Sequence, residues 1–148
     1  MKSLKLFLPA AMALFITLGG CSNKLDIRQN YGYSIATLPL PKSLKQGEIV
    51  PLEFSVVREG FYTGTSYQFR YFQPDGAGIL VYNGVIIPVN RFQPVVSDTF
   101  TVYYQCLDAT QQQQLDFHFE DNFGQSVEYS VQFSADNTAA TDSSSNTD

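Results

Sequence analysis

Arg58-Glu59-Gly60-Phe61-Tyr62-Thr63-Gly64-Thr65-Ser66-Tyr67-Gln68-Phe69-Arg70-Tyr71-Phe72-Gln73-Pro74-Asp75-Gly76-Ala77-Gly78 joins a glycine-rich loop to a strand, and its reading decides the fold. Tyr67, Phe69 and Tyr71 recur at period two with Gln68, Arg70 and Phe72 between them, so one set of side chains meets a core and the other faces outward. That is the pattern of a central β-strand. Gln73-Pro74-Asp75-Gly76 ends it, because proline presets the first turn position and Asp and Gly tolerate the dihedrals that reverse a chain. The sequence therefore predicts a hairpin after this strand.

The flanking segments repeat the alternation. Upstream, the stretch 27–38 reads as an irregular edge strand, closed by Pro39 and Pro41, which cannot donate to a ladder. Lys42 to Gly47 reads as a polar turn. Val50, Leu52, Phe54 and Val56 then share one face of the next strand. Downstream, Asn83-Gly84 is a strong hairpin signal between 78–82 and 85–89, since both positions accept positive φ. Pro88 and Pro94 bracket an expected loop. Phe100, Val102, Tyr104 and Cys106 define a further strand, and Asp121-Asn122-Phe123-Gly124 joins the alternating runs Leu115-Phe119 and Val127-Phe133 as a second hairpin.

About seven or eight short strands at even spacing, without a convincing helix, predict an all-β fold, an immunoglobulin-like antiparallel β-sandwich over 31–133. From Ser134 onward the Ser/Thr/Asp-rich tail has no apolar periodicity, so 134–148 is expected to be disordered. The 148 residues suffice for one domain with a real core and not for two.

The N-terminus reads as an address. Met1 to Lys5 is basic, and the apolar run from Leu6 to Leu18 is shorter than the roughly 20 residues a membrane span needs, so 1–20 fits a signal peptide. Leu18-Gly19-Gly20-Cys21 resembles a bacterial lipobox. The resemblance implies cleavage before Cys21, acylation of that cysteine and membrane attachment through the lipid, with 21–30 as the lipidated tether. Ordinary signal cleavage near a structural cysteine is the alternative. Ser22 in place of Asp resembles the outer-membrane sorting signal of Gram-negative bacteria. Ser22-Asn23-Lys24-Leu25-Asp26 matches poorly the acidic run of surface-exported lipoproteins, so a periplasm-facing outer-membrane lipoprotein is expected, with the cell surface as the alternative.

Charge and residue chemistry narrow the function. Without Lys2 and Lys5 the chain carries seven basic against fourteen acidic residues, a net charge of −7, and it has no basic stripe. Direct binding of nucleic acid is therefore not expected, since phosphate contacts need clustered Lys and Arg. His118, the single histidine, shares a strand face with Asp116 and Glu120 at spacings of about 7 Å, too splayed for a compact metal site and read as a solvated polar face. Cys106 falls in phase with apolar neighbours and reads as core, with no histidine nearby in sequence to activate it. No Ser-His or Cys-His partnership appears and the glycines resemble no phosphate cradle. No enzyme activity, cofactor, metal or small-molecule substrate is expected. Phe61 and Tyr62, in a glycine-flanked loop, are the candidate partner-binding residues. Arg58, Glu59 and Arg70 are expected to form an ion pair that pins this loop.

Several blocks of this chain resemble the TraQ family of conjugative-transposon proteins from Bacteroides and relatives. They are Leu25-Asp26-Ile27 to Tyr31-Gly32, Val57-Arg58-Glu59-Gly60 with Tyr62 and Gly64, and Arg70-Tyr71-Phe72-Gln73-Pro74-Asp75-Gly76 with Gly78. Phe100 with Tyr103-Tyr104, and Glu120-Asp121-Asn122-Phe123-Gly124-Gln125, complete the set, which covers roughly Lys24 to Phe133. The resemblance implies a small exported β-sandwich lipoprotein encoded with transfer genes, an accessory subunit of a mating apparatus that binds other conjugative transfer proteins. It carries over no catalytic residue. A glycan- or peptide-binding surface adhesin that travels with the element is the alternative.

Overall fold

The computed structural model describes residues 29–136. The expected signal peptide, Cys21 and the tail beyond 136 lie outside them. Nine strands follow in order: β1 (Tyr33–Thr37), β2 (Ile49–Arg58), β3 (Tyr67–Asp75), β4 (Gly78–Tyr82), β5 (Val85–Ile87), β6 (Gln93–Val95), β7 (Thr99–Cys106), β8 (Gln113–Asp121) and β9 (Ser126–Phe133). They form two antiparallel sheets, of order β1-β2-β7-β4-β5 and β6-β3-β8-β9. Strands β1-β2-β7-β4 and β3-β8-β9 stand as the two sheets of an immunoglobulin-like sandwich do, with β5 and β6 added at the edges.

Alternation places the core. Tyr67, Phe69 and Tyr71 of β3 are buried, as are Val50, Leu52, Phe54 and Val56 of β2 and all four in-phase residues of β7. Immunoglobulin domains often tie these two sheets with a disulfide; here Phe54 of β2 packs on Phe117 and Phe119 of β8, with ring centroids 4.7 and 5.5 Å away. Phe69 bridges back to Tyr82 and Phe100 at 5.2 and 5.4 Å. Such ring pairs add about 0.5–1.5 kcal/mol each beyond the area they bury. Aromatic packing thus does the work of the missing cross-link, while Cys106 is a free, buried thiol whose pKa burial raises.

Three local expectations are corrected. The segment after β3 does not fold back as a hairpin: β4 pairs with β7 in the other sheet. Gln73, Pro74 and Asp75, expected as the turn, still belong to β3 beyond a bulge, and the chain crosses the sandwich at Gly76 and Ala77, with Gly76 at φ 83°. Gln93-Pro94-Val95, read as loop, is a ninth strand pairing with β3; it is an edge strand, where a proline costs no ladder bond. Finally, Ser134 to Asp136 are held by hydrogen bonds from Ser134 N–H to Lys42 O at 2.7 Å and Asp136 N–H to Ala109 O at 2.8 Å, three residues beyond the expected end of the domain.

The strand directions define two poles. At one, the chain enters at 29–32, and the β2–β3 loop, the β6–β7 loop and the β8–β9 turn gather around it. At the other the chain leaves at Asp136, beside the β1–β2, β3–β4 and β7–β8 connections.

Candidate functional site

The entry pole carries Phe61 and Tyr62. Asn122 staples their loop to the β8–β9 turn: Ser66 N–H donates to Asn122 Oδ1 at 2.9 Å, and Asn122 Nδ2 donates to Gly64 O at 2.9 Å. Asp121 holds the turn itself by accepting from the N–H groups of Phe123 and Gln125 at 2.9 and 2.8 Å. Gln125 Nε2 donates to Tyr31 O at 2.9 Å, which ties in the entry segment. The glycines here serve close approach more than turning. A Cβ on Gly60 would lie 2.2 Å from the Tyr31 ring, and one on Gly64 would lie 2.6 Å from the Tyr62 ring.

This clamp separates the two candidate residues. Tyr62 is half-buried with its ring 6.0 Å from that of Phe123. Phe61 projects, 72 % exposed, with the Arg58 guanidinium 5.7 Å from its ring centroid. The expected ion pair forms with other partners: Arg58 pairs with Asp98, its Nε donating at 3.1 Å, and Arg70 lies 3.8 Å from Glu120. Glu59 instead lies beside Gly32, whose carbonyl accepts its N–H at 2.9 Å.

A shallow cleft of about 320 Å³ opens beside this loop, lined by Tyr67, Gln68, Phe92, Pro94, Asp121 and Asn122. Its two most polar residues, Asp121 and Asn122, are already engaged in holding the turn and the loop. His118 faces Glu128 on β9, Nδ1 to Oε1 3.2 Å, and rests against the Phe72 ring. Among the described residues no group of three or more His, Cys, Asp or Glu is placed to hold a metal ion.

The outer faces of the two sheets differ in kind. On the four-stranded sheet, Arg70, His118 and Glu128 form one cross-strand row and Gln68, Glu120 and Ser126 another, a charged and polar surface. On the five-stranded sheet, Pro51, Tyr103, Val81 and Ile86 form an uncharged row across β2, β7, β4 and β5, and Ile49, Gln105 and Ile79 form the row beside it. Ile86 is 64 % exposed and Tyr103 48 % exposed. A strand face that meets only water alternates polar residues outward, whereas unbroken apolar runs mark strands covered on both faces. Gly78-Ile79-Leu80-Val81-Tyr82 and Val85-Ile86-Ile87 are such runs. The reading of the sequence missed this face, and the runs were the signal that could have found it.

The family model of the TraQ conjugal transfer protein matches residues 5–136. A lipoprotein from Bacteroides thetaiotaomicron, solved by NMR, shares 38 % identity and a TM-score of 0.64 over 82 % of this chain and 93 % of that one. A conjugative transposon lipoprotein from Bacteroides eggerthii, solved by crystallography, gives 28 % identity and a TM-score of 0.65 over 70 % of this chain and 98 % of that one. A conjugate transposon protein from Bacteroides vulgatus gives 30 % and 0.64, covering 78 % and 94 %. No curated protein sequence matches. Matched by the family model along most of its length, and similar in fold and sequence to these Bacteroides proteins, the chain belongs to the TraQ conjugal transfer protein family.

Proposed function

We propose that this chain is a lipid-anchored, non-catalytic accessory component of a conjugative-transposon mating apparatus. It is attached through Cys21 and works by binding another transfer protein in the cell envelope. The anchoring reading draws on Gly19-Gly20-Cys21 and on relatives described as lipoproteins. The binding reading is carried by the uncharged Pro51, Tyr103, Val81 and Ile86 row. An apolar patch with a central exposed tyrosine is the composition of an interface core, and soluble monomers rarely leave one bare. The acidic mature chain favours a protein partner over the transferred DNA. Ser22 after the cysteine supports the outer membrane, with the domain facing the periplasm.

The test is transfer frequency from donors lacking the gene, complemented by wild type or by Cys21→Ala. Loss on deletion, with rescue by wild type alone, supports an anchored component; unchanged transfer after deletion rules the reading out. Protease treatment of whole cells separates it from the surface adhesin, because a periplasm-facing domain survives and an adhesin is shaved.

A further inference from the structure

We infer that the entry pole rests on the lipid bilayer, with Phe61 entering the headgroup region, so that the sandwich stands with its strands along the membrane normal. The inference rests on the proposed acylation of Cys21 and goes beyond it by assigning the loop a lipid surface as its ligand.

Three observations point the same way. The segment arriving from Cys21 is built into this pole: Tyr31 is held by Gln125 and its ring covers Gly60, and the N–H of Glu59 donates to Gly32 O at 2.9 Å. The loop that presents Phe61 and the entry residues Tyr31 and Gly32 are therefore one packed unit. Nine residues lie between Cys21 and Tyr31, ten Cα-to-Cα steps, so even full extension keeps this pole within roughly 35 Å of the acyl chains. The opposite pole lies a further strand length away, about 30 Å.

The chemistry of the tip fits a bilayer interface. Phe61 has the greatest fractional exposure of the large hydrophobic residues among those described, and Val96, at the same pole, is 68 % exposed. The tip Phe61-Tyr62-Thr63-Gly64-Thr65 carries no charge. Behind it Arg58 is neutralised by Asp98, and Asp121 is buried with its oxygens engaged. Among the described residues, Glu59 and Asp98 are the exposed acidic residues beside the tip, and Asp98 is paired with Arg58. Aromatic rings sit favourably at the headgroup level, and side chains there bury about 5–10 Å into the boundary with the acyl chains. Because the lipid makes this contact intramolecular, one or two side chains suffice to hold the pole down. The uncharged Pro51, Tyr103, Val81 and Ile86 row of the five-stranded sheet then points sideways, parallel to the membrane, where an envelope partner can reach it.

The chain contains no tryptophan, so Phe61→Trp introduces a single indole at a site with room for it. The full-length gene is expressed in a lipoprotein-processing host. The purified product is weighed by mass spectrometry and reconstituted into phosphatidylcholine vesicles with or without brominated acyl chains. Leu107→Trp, at the far pole, is the control. The expected result is an acylated Phe61→Trp protein whose indole emission shifts to the blue and is lost to bromine, while bromine leaves the emission of Leu107→Trp unchanged. An acylated Phe61→Trp protein that bromine does not quench overturns the docking and leaves the anchor standing. Equal quenching of the two variants overturns the upright orientation. A product without the acyl mass overturns the anchoring reading and this inference with it.

Discussion

Alanine at Gly78 should destabilise this domain by about 3 kcal/mol, although it adds one methyl group. The added Cβ would sit 2.1 Å from Cε2 of Tyr104 and 2.3 Å from its Cζ and hydroxyl oxygen. Tyr104 has nowhere to go: it is fully buried, its ring is stacked 6.0 Å from Phe133 at 3°, and its hydroxyl donates to Gln113 Oε1 at 2.6 Å. Forcing a methyl into such a core costs about 1–3 kcal/mol, and displacing the hydroxyl from a buried acceptor adds about 1–3 kcal/mol. For a domain of this size a 3 kcal/mol loss lowers Tm by roughly 12–24 °C. Gly84→Ala is the control. Gly84 has φ 75° and nothing within 4 Å of an added Cβ, so it should lose only the left-handed backbone penalty of about 1–2 kcal/mol. Urea unfolding followed by circular dichroism measures both. Equal losses at the two glycines would refute the claim that Gly78 is required by Tyr104.

Other consequences follow from the same core. Phe54→Ala should cost about 3–5 kcal/mol, because it empties the ring cluster that joins the sheets; a loss below about 2 kcal/mol by the same unfolding assay would show that the cluster is dispensable. Burial pushes the Tyr104 pKa up to about 12 and also raises Tyr71. The folded state therefore favours the neutral phenol, and stability holds up to about pH 10 and falls between about 10 and 12. Tyr104 accounts for about 3 kcal/mol of that fall, and Tyr104→Phe should flatten it by that amount when unfolding is followed against pH. The Cys106 thiol, buried and with a raised pKa, should resist a maleimide in native buffer and react fully in urea. Rapid native labelling would contradict its place in the core.

Much of the sandwich was legible because its buried faces alternate cleanly. Tyr67, Phe69 and Tyr71, or Phe100, Val102, Tyr104 and Cys106, announce their strands without help from tertiary structure. What stayed hidden was set by neighbours. Pro94 disguised β6, since only the edge position makes a proline harmless there. Gln73-Pro74-Asp75-Gly76 announced a turn but not which sheet the chain would enter next. Gln113 meets the chain at this crossing: its side-chain oxygen accepts the Ala77 N–H at 3.0 Å and its Nε2 donates to Asp108 O at 2.6 Å. Leu44, inside an apparently polar turn, is 2 % exposed, and Ser134, just past β9, bridges to Ser43 beside it. Two of the blocks that carried the family resemblance have structural roles. Glu120 to Gln125 clamp the entry pole, and Gly76 and Gly78 clear space for Gln113 and Tyr104. The loop of Phe61 and Tyr62 was visible from its glycines, whereas the uncharged row requires the register of four strands.

We propose that this domain serves transfer by protein contact through that row. The direct measurement is transfer frequency from deletion donors complemented with Ile86→Glu/Tyr103→Glu, after circular dichroism has confirmed that the variant is folded. Both side chains are exposed, so the fold should survive while a charged pair enters the apolar row. Wild type should restore transfer and the folded double variant should not. Full rescue by the double variant would contradict the proposal.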